Sequence, residues 1–234
     1  MIRAAVARAA LAALALGGGC DACGRDRPGA RATSPCSAAA PEVAALRDGD
    51  GALVRTLRDA GDGRTAICSP TGAVTGFLSA DSVKREIATA AGAARAQLVR
   101  EGASDVTVTG SPALRLHDEG GELRVLRPDG IPLGAVSRAP PDGPAVADAA
   151  DGGAAPAPPL ARVYDPGGRP IGTVVAHGRG FAIRAADGAT QWLLAPRPPV
   201  DDPRLAGLVA VTGLSPDDAL AIAWAFPPPQ PRAK

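Results

Sequence analysis

One segment of this chain is written twice. Residues 124–136 read RVLRPDGIPLGAV and residues 162–174 read RVYDPGGRPIGTV, identical at seven of thirteen positions. A fainter third copy, AICSPTGAVTGFL, occupies residues 66–78. Each copy is a short β-prone run, a Pro-x-Gly turn and a second short apolar run. Proline presets φ at the first turn position, and glycine supplies the positive φ that follows. Each copy therefore predicts a β-hairpin.

Similar punctuation recurs at Asp48-Gly49, Gly61-Asp62-Gly63, Glu119-Gly120-Gly121, 178–180 and Asp187-Gly188. A spacing of about ten residues between turns points to a sheet of short antiparallel strands. Residues 106–109, 114–116, 122–126 and 181–184 read as strands. Residues 83–100 admit two readings. Ser79-x-x-Ser82 before an Ala-rich run favours a helix by propensity. Gly92 and the ten-residue rhythm favour one more hairpin, which we adopt. A sheet this extensive must manage its edges, and closure into a barrel would do so.

The C-terminal segment breaks the rhythm. Residues 205–214 carry no charge and are apolar on all sides. Ser215-Pro216-Asp217-Asp218 then has the form of a helix start: an N-cap serine, proline at the first helical position and acids in the first turn. A second helix containing Trp224 follows over 219–226. A helix apolar all round is either buried or in a bilayer. Gly213, Pro216 and two aspartates interrupt the stretch, which favours a helix packed inside the β-structure over a span. The expected fold is mainly β: an antiparallel, hairpin-rich, barrel-like domain with a buried apolar C-terminal helix.

The first twenty residues carry the functional signal. Arg3 and Arg8 precede a short apolar run over 9–16, and Leu16-Gly17-Gly18-Gly19-Cys20 follows. An apolar run that short fits a signal h-region rather than a membrane span. The small residues before Cys20 resemble a bacterial lipobox, in which the cysteine is acylated and becomes the new N-terminus. The usual pattern has Leu three residues before the cysteine; here Gly17 holds that position. Ordinary cleavage with release, and an uncleaved anchor, are the alternatives. The resemblance implies a lipid attachment at Cys20, a palmitate-type acyl chain and a place in the cell envelope. The organisation is then a signal peptide over 1–19, a flexible tether over 20–41 and a β-rich domain over 42–226. A disordered internal loop near 139–159 and a Pro-rich tail over 227–234 complete it.

Repeated Pro-x-Gly hairpins followed by a fully apolar C-terminal helix are similar to the tubby-like superfamily, which includes phospholipid scramblases and LURP-one-related proteins. The resemblance covers residues 45–226 and implies a closed antiparallel barrel around a C-terminal helix. The chain lacks that group's basic phosphoinositide cluster and any acidic calcium segment, so no residue is assigned to lipid binding.

Composition narrows the function further. A net charge of +1 gives no electrostatic case for nucleic acid. The basic residues are nearly all Arg, with lysine only at Lys84 and Lys234, and no Lys/Arg block marks a lipid-binding patch. Aromatics make up 3% of residues, and the core must be built from Val, Leu, Ile and Ala. The cysteines are Cys20, Cys23, Cys36 and Cys68. With Cys20 acylated, an oxidising compartment allows one bridge and one leftover thiol. Cys20 and Cys23 have C-x-x-C spacing without the further ligands a zinc site needs. Cys68 reads as a small core residue.

Candidate chemistry is thin. His117-Asp118-Glu119 has the residue types of an acid–base or metal cluster, but it adjoins Gly120-Gly121 and reads as a solvated turn. His177-Gly178-Arg179-Gly180 reads as a hairpin turn. A nucleophilic pair of Cys68 with a distant histidine lacks any local base. Trp192 and Trp224 read as core. No Gly-x-Ser-x-Gly, phosphate loop or His-Glu-x-x-His is present. The expectation is a membrane-tethered, non-enzymatic binding or envelope-structural domain. It has no catalytic, cofactor or metal residues and no cofactor. Its partners are the membrane, through the lipid, and an unidentified envelope protein or lipid. The alternative is a lipid handler or an enzyme with a dispersed site.

Overall fold

The computed structural model describes residues 34–80, 85–140, 158–199 and 201–226. The segment 1–19 read as a signal, Cys20, Cys23, most of the 139–159 stretch and the segment 227–234 lie outside the described residues.

Fourteen strands among the described residues form one closed antiparallel barrel. They run β1 (Glu42–Asp48), β2 (Leu53–Gly61), β3 (Arg64–Cys68), β4 (Val74–Ala80), β5 (Arg85–Thr89), β6 (Ala94–Glu101) and β7 (Asp105–Gly110). The second half is β8 (Leu114–Glu119), β9 (Glu122–Leu126), β10 (Pro132–Arg138), β11 (Pro159–Tyr164), β12 (Pro170–His177), β13 (Gly180–Ala185) and β14 (Thr190–Ala195). Every strand pairs with its neighbours in sequence, and β1 closes the ring on β14, Ala45 opposite Ala195 and Asp48 opposite Trp192. Closure leaves no edge, the liability that the sequence raised. Residues 85–101 form the β5–β6 hairpin, not a helix.

The turns at one rim explain the repeat. Among the described residues, six hairpins share one three-residue loop. The first loop-flanking N–H bonds the carbonyl four residues on, and a glycine N–H bonds back across three. Arg127 N to Ile131 O, 2.8 Å, and Gly130 N to Arg127 O, 2.9 Å, are one example. The same pair of bonds recurs at 48–52, 69–73, 89–93, 165–169 and 185–189. The bonding glycine has φ between +79° and +88° in all six. This is a type I turn closed by a left-handed glycine, and it fits the right-handed twist of the strands. The motif's last glycine has a different task. Gly76, Gly134 and Gly172 lie where register shifts bring the next strand close. A Cβ there would meet the carbonyl oxygens of Ala88, Tyr164 and Arg184 at 2.8, 2.7 and 2.5 Å.

Beyond β14 the chain forms α1 (Pro203–Gly207), a 3₁₀ turn over Leu208–Ala210 and α2 (Pro216–Ala225). Ser215 caps α2 by accepting from the Asp218 N–H at 3.1 Å. Asp217 pairs with Arg55 and Asp218 with Arg95, each at 2.5 Å, which places acids at the positive end of the helix. Residues 219–226 are each at most 7% exposed and share one core with inward residues of the strands. α1 packs on β10 to β13 and α2 on β4 and β5, so the two legs lie side by side within the wall. At Gly207 a Cβ would sit 2.7 Å from Val136 Cγ1, so α1 approaches β10 as closely as its backbone allows. No described helix is long and apolar enough to cross a membrane. In the sector β8–β9 the outward positions are Arg115, His117, Glu119, Glu122, Arg124 and Leu126, polar but for the last, while Leu116, Leu123 and Val125 are buried. That polarity is the reverse of a lipid-facing barrel wall.

Cys68 corrects its sequence reading. Strand alternation sends Ile67 to the barrel interior, and Ala66 and Cys68 to the outer face. Cys68 is buried there because Cys36 covers it and the two form a disulfide, Cα–Cα 5.6 Å. Val74 and Phe77 flank the bridge, and Arg64 stacks 4.3 Å above the Phe77 ring. Arg58 Nη1 donates to Ala40 O at 2.5 Å, so residues on both sides of Pro41 are held against the wall.

Candidate functional site

The two clear repeat copies are adjacent hairpins, β9–β10 and β11–β12, and a groove of about 630 Å³ opens where they meet. It runs along the outer face of β10. Alternation puts Ala135 and Ser137 outward on that strand, and Gly134 lies beside them at a register shift. These short side chains form the base. Glu122, Arg124 and Leu126 of β9 make one wall, and Tyr164 with Asp165 and Pro166 the other. Gly130 and Pro132 close the end nearest the repeated turns.

The walls differ in character. The Glu122 carboxylate accepts from Arg124 Nε, and this contact raises the Arg124 pKa. Asp165 is occupied by its own turn, accepting from the backbone of Arg169 and Gly167, each at 2.9 Å. Its carboxyl is held below the usual range, chiefly by the Arg169 N–H. The chain's single tyrosine, Tyr164, lies directly opposite Ala135. The arrangement places hydrogen-bond donors, and two carboxylates engaged by their own neighbours, above a small-residue base.

The same register row continues to His117, which pairs with Arg124 on one side and Asp105 on the other. His117 Nδ1 lies 2.9 Å from Asp105 Oδ1 and Nε2 3.2 Å from Glu119 Oε2. Two carboxylates thus engage both ring nitrogens, and neither is left as a base. The hydrogen bond to Asp105, then that to Glu119, raises the His117 pKa above its ordinary value. Reciprocally, His117 is the main cause of the lowered Asp105 pKa. His117's contribution is therefore fully present below about pH 6.5 and is lost as pH rises through its higher folded value. Asp105's is present above about pH 3.9 and is lost as pH falls through its lower folded value. We expect His117→Gln to cost under about 1 kcal/mol at pH 5.5 and almost nothing at pH 9. Urea denaturation of both proteins at the two pH values checks this.

The His117-Asp118-Glu119 triplet, read from the sequence as a solvated turn, instead ends strand β8, where adjacent residues face opposite sides. Asp118 points to α1, where Arg204 Nη1 donates to it at 2.6 Å. Arg204, 6% exposed, also donates from Nη2 to Asp202 at 2.6 Å. Asp202 caps α1 by accepting from the Arg204 N–H at 3.0 Å, and Arg138 reaches it at 3.4 Å. Burial alone would push the Asp202 carboxyl up. The hydrogen bonds and charge of Arg204, with the charge of Arg138, outweigh it and hold the pKa below the usual range. His177 ends β12 beside the tight turn to Gly180, as the sequence suggested. Trp224 lies in the core, and Trp192 packs against it partly buried. Among the described residues, no group of three or more His, Cys, Asp or Glu is arranged to hold a metal.

Sequence reasoning missed the groove residues Arg124, Ala135, Ser137 and Tyr164. A signal existed: the best-matched repeat copies are consecutive hairpins, so their facing strands had to meet. No protein-family model matches the chain, and no curated protein or solved structure is detectably similar to it.

Proposed function

We propose that this chain is an exported, lipid-tethered module of the cell envelope whose barrel acts by non-enzymatic binding or by structural support. The observation that carries the binding part is the occupied barrel interior. Leu205, Leu208, Leu220 and Ile222 are at most 1% exposed and pack with the inward strand residues, so the helical legs fill the space a carried lipid would need. Contact with a partner then falls to the outer wall, where the groove lies. The disulfide supports the exported part, since such bonds persist in oxidising compartments. The engagement of both His117 nitrogens supports a non-enzymatic reading. The tubby-like resemblance is retained as a proposal about architecture, supported by the closed antiparallel wall and the C-terminal helices.

Acyl labelling and membrane fractionation of the full chain beside Cys20→Ser test the tether. Label and membrane association should both disappear in the variant. A wild-type chain that is unlabelled and remains in the soluble fraction would sink the lipoprotein reading.

A further inference from the structure

We propose that the groove over β10 binds a proline-rich segment of a partner protein in the extended polyproline II conformation. The proposal deepens the binding-module reading and rests on it. Its first support is shape. Strands β9 and β11 flank the groove two strand spacings apart, about 10 Å, and residues 132–137 give it a length of about 17 Å. One extended chain of five or six residues fits that trench at the ~3.1 Å rise of polyproline II.

Its second support is chemistry. The barrel is closed, and the backbone of β10 is paired on both sides with β9 and β11. A ligand strand cannot add to it through backbone bonds, which rules out the commonest route for extended peptides. The suitable ligand is one whose backbone asks for few partners. Proline lacks an N–H and presents only carbonyl acceptors. The groove answers with donors: the Tyr164 hydroxyl, the Ser137 hydroxyl and the guanidinium N–H groups of Arg124 beyond the Nε held by Glu122. The Tyr164 ring supplies the flat face on which proline rings pack in such grooves.

The test is titration of the full chain, in detergent, with fluorescently labelled decaproline, beside a Gly-Ser peptide of equal length. Decaproline should bind at least tenfold more tightly than the control. Ala135→Leu fills the base of the trench at an outward position and should weaken binding at least tenfold with an unchanged melting temperature. Tyr164→Ala should do the same. Equal binding of the two peptides overturns the proposal, as does full decaproline binding by folded Ala135→Leu. Tighter binding of a charged non-proline peptide also overturns it, and so does a groove-dependent dimer that Ala135→Leu abolishes. Failed titration with intact Cys20-dependent membrane association defeats the peptide assignment alone. Loss of that association with intact titration defeats the tether alone.

Discussion

Arg204→Met should destabilise the barrel by about 3 kcal/mol, a fall of roughly 6–12 °C in melting temperature for a domain of this size. Arg204 is the shared partner of two carboxylates where α1 enters the barrel. Asp202 side-chain exposure is 12% and that of Asp118 is 29%. Removing the guanidinium leaves the buried Asp202 with only Arg138, at 3.4 Å, while Asp118 keeps partial exposure and the charge of Arg100 nearby. The usual cost of orphaning a buried ion is about 3–5 kcal/mol, and the partial exposure of Asp118 puts the expectation at the lower end.

The network's net worth is a separate question from the cost of breaking it. Desolvating three charged groups consumes much of their mutual attraction. Asp118→Leu with Asp202→Ser and Arg204→Met should therefore return to within about 1 kcal/mol of wild type. Serine at 202 keeps a cap for α1, and Arg138, with 59% side-chain exposure, can turn to water. The pH dependence separates the variants further. Asp202 has a lowered folded pKa, so its contribution is present above about pH 3.9 and is lost as pH falls through the folded value. The wild type should lose its advantage over Arg204→Met in that acid range, and urea midpoints between pH 2 and 7 measure it. A constant difference down to pH 2 would show that Arg204 acts by packing alone.

The strand rhythm was legible because its turns need one residue type. A glycine at positive φ ends each of the six matching loops, and proline only reinforces three of them. That is why 66–78, 124–136 and 162–174 stood out as copies while 48–52, 89–93 and 185–189, with Gly49, Ala90 and Ala186 in the proline's place, read only as punctuation. The N-cap at Ser215 was legible for the same reason, since capping is a local property of consecutive residues. What pairs with what across the barrel was not. Arg204 sits at the head of an apolar run and gives no sign that Asp118, 86 positions earlier, will meet it. Ala135 and Tyr164 face each other only after β10 and β11 have taken their register. The outward side of a strand is also ambiguous where another segment covers it, and this made Cys68 look like core.

Loss of the Cys36–Cys68 bond should cost about 3–4 kcal/mol. The bond closes a loop of 32 residues in the unfolded chain, and the chain-entropy relation for a loop of that length gives that figure. The loop contains β1, β2 and β3, so the bond shortens the search for the strand that closes the ring on β14. Cys36→Ser with Cys68→Ser should lower the melting temperature by roughly 10 °C. The m-value in urea should rise, because the unfolded state without its crosslink exposes more surface. Reduction of the wild type should reproduce both changes. A fall in stability with an unchanged m-value would instead place the effect in the folded state, through the packing of Cys68 with Ala66, Val74 and Phe77. The two outcomes bear on export. If the crosslink supplies the stability, protein held in a reducing compartment starts 3–4 kcal/mol weaker, about half the margin of an ordinary small domain. Folding would then favour an oxidising compartment, the setting that the proposed export would supply.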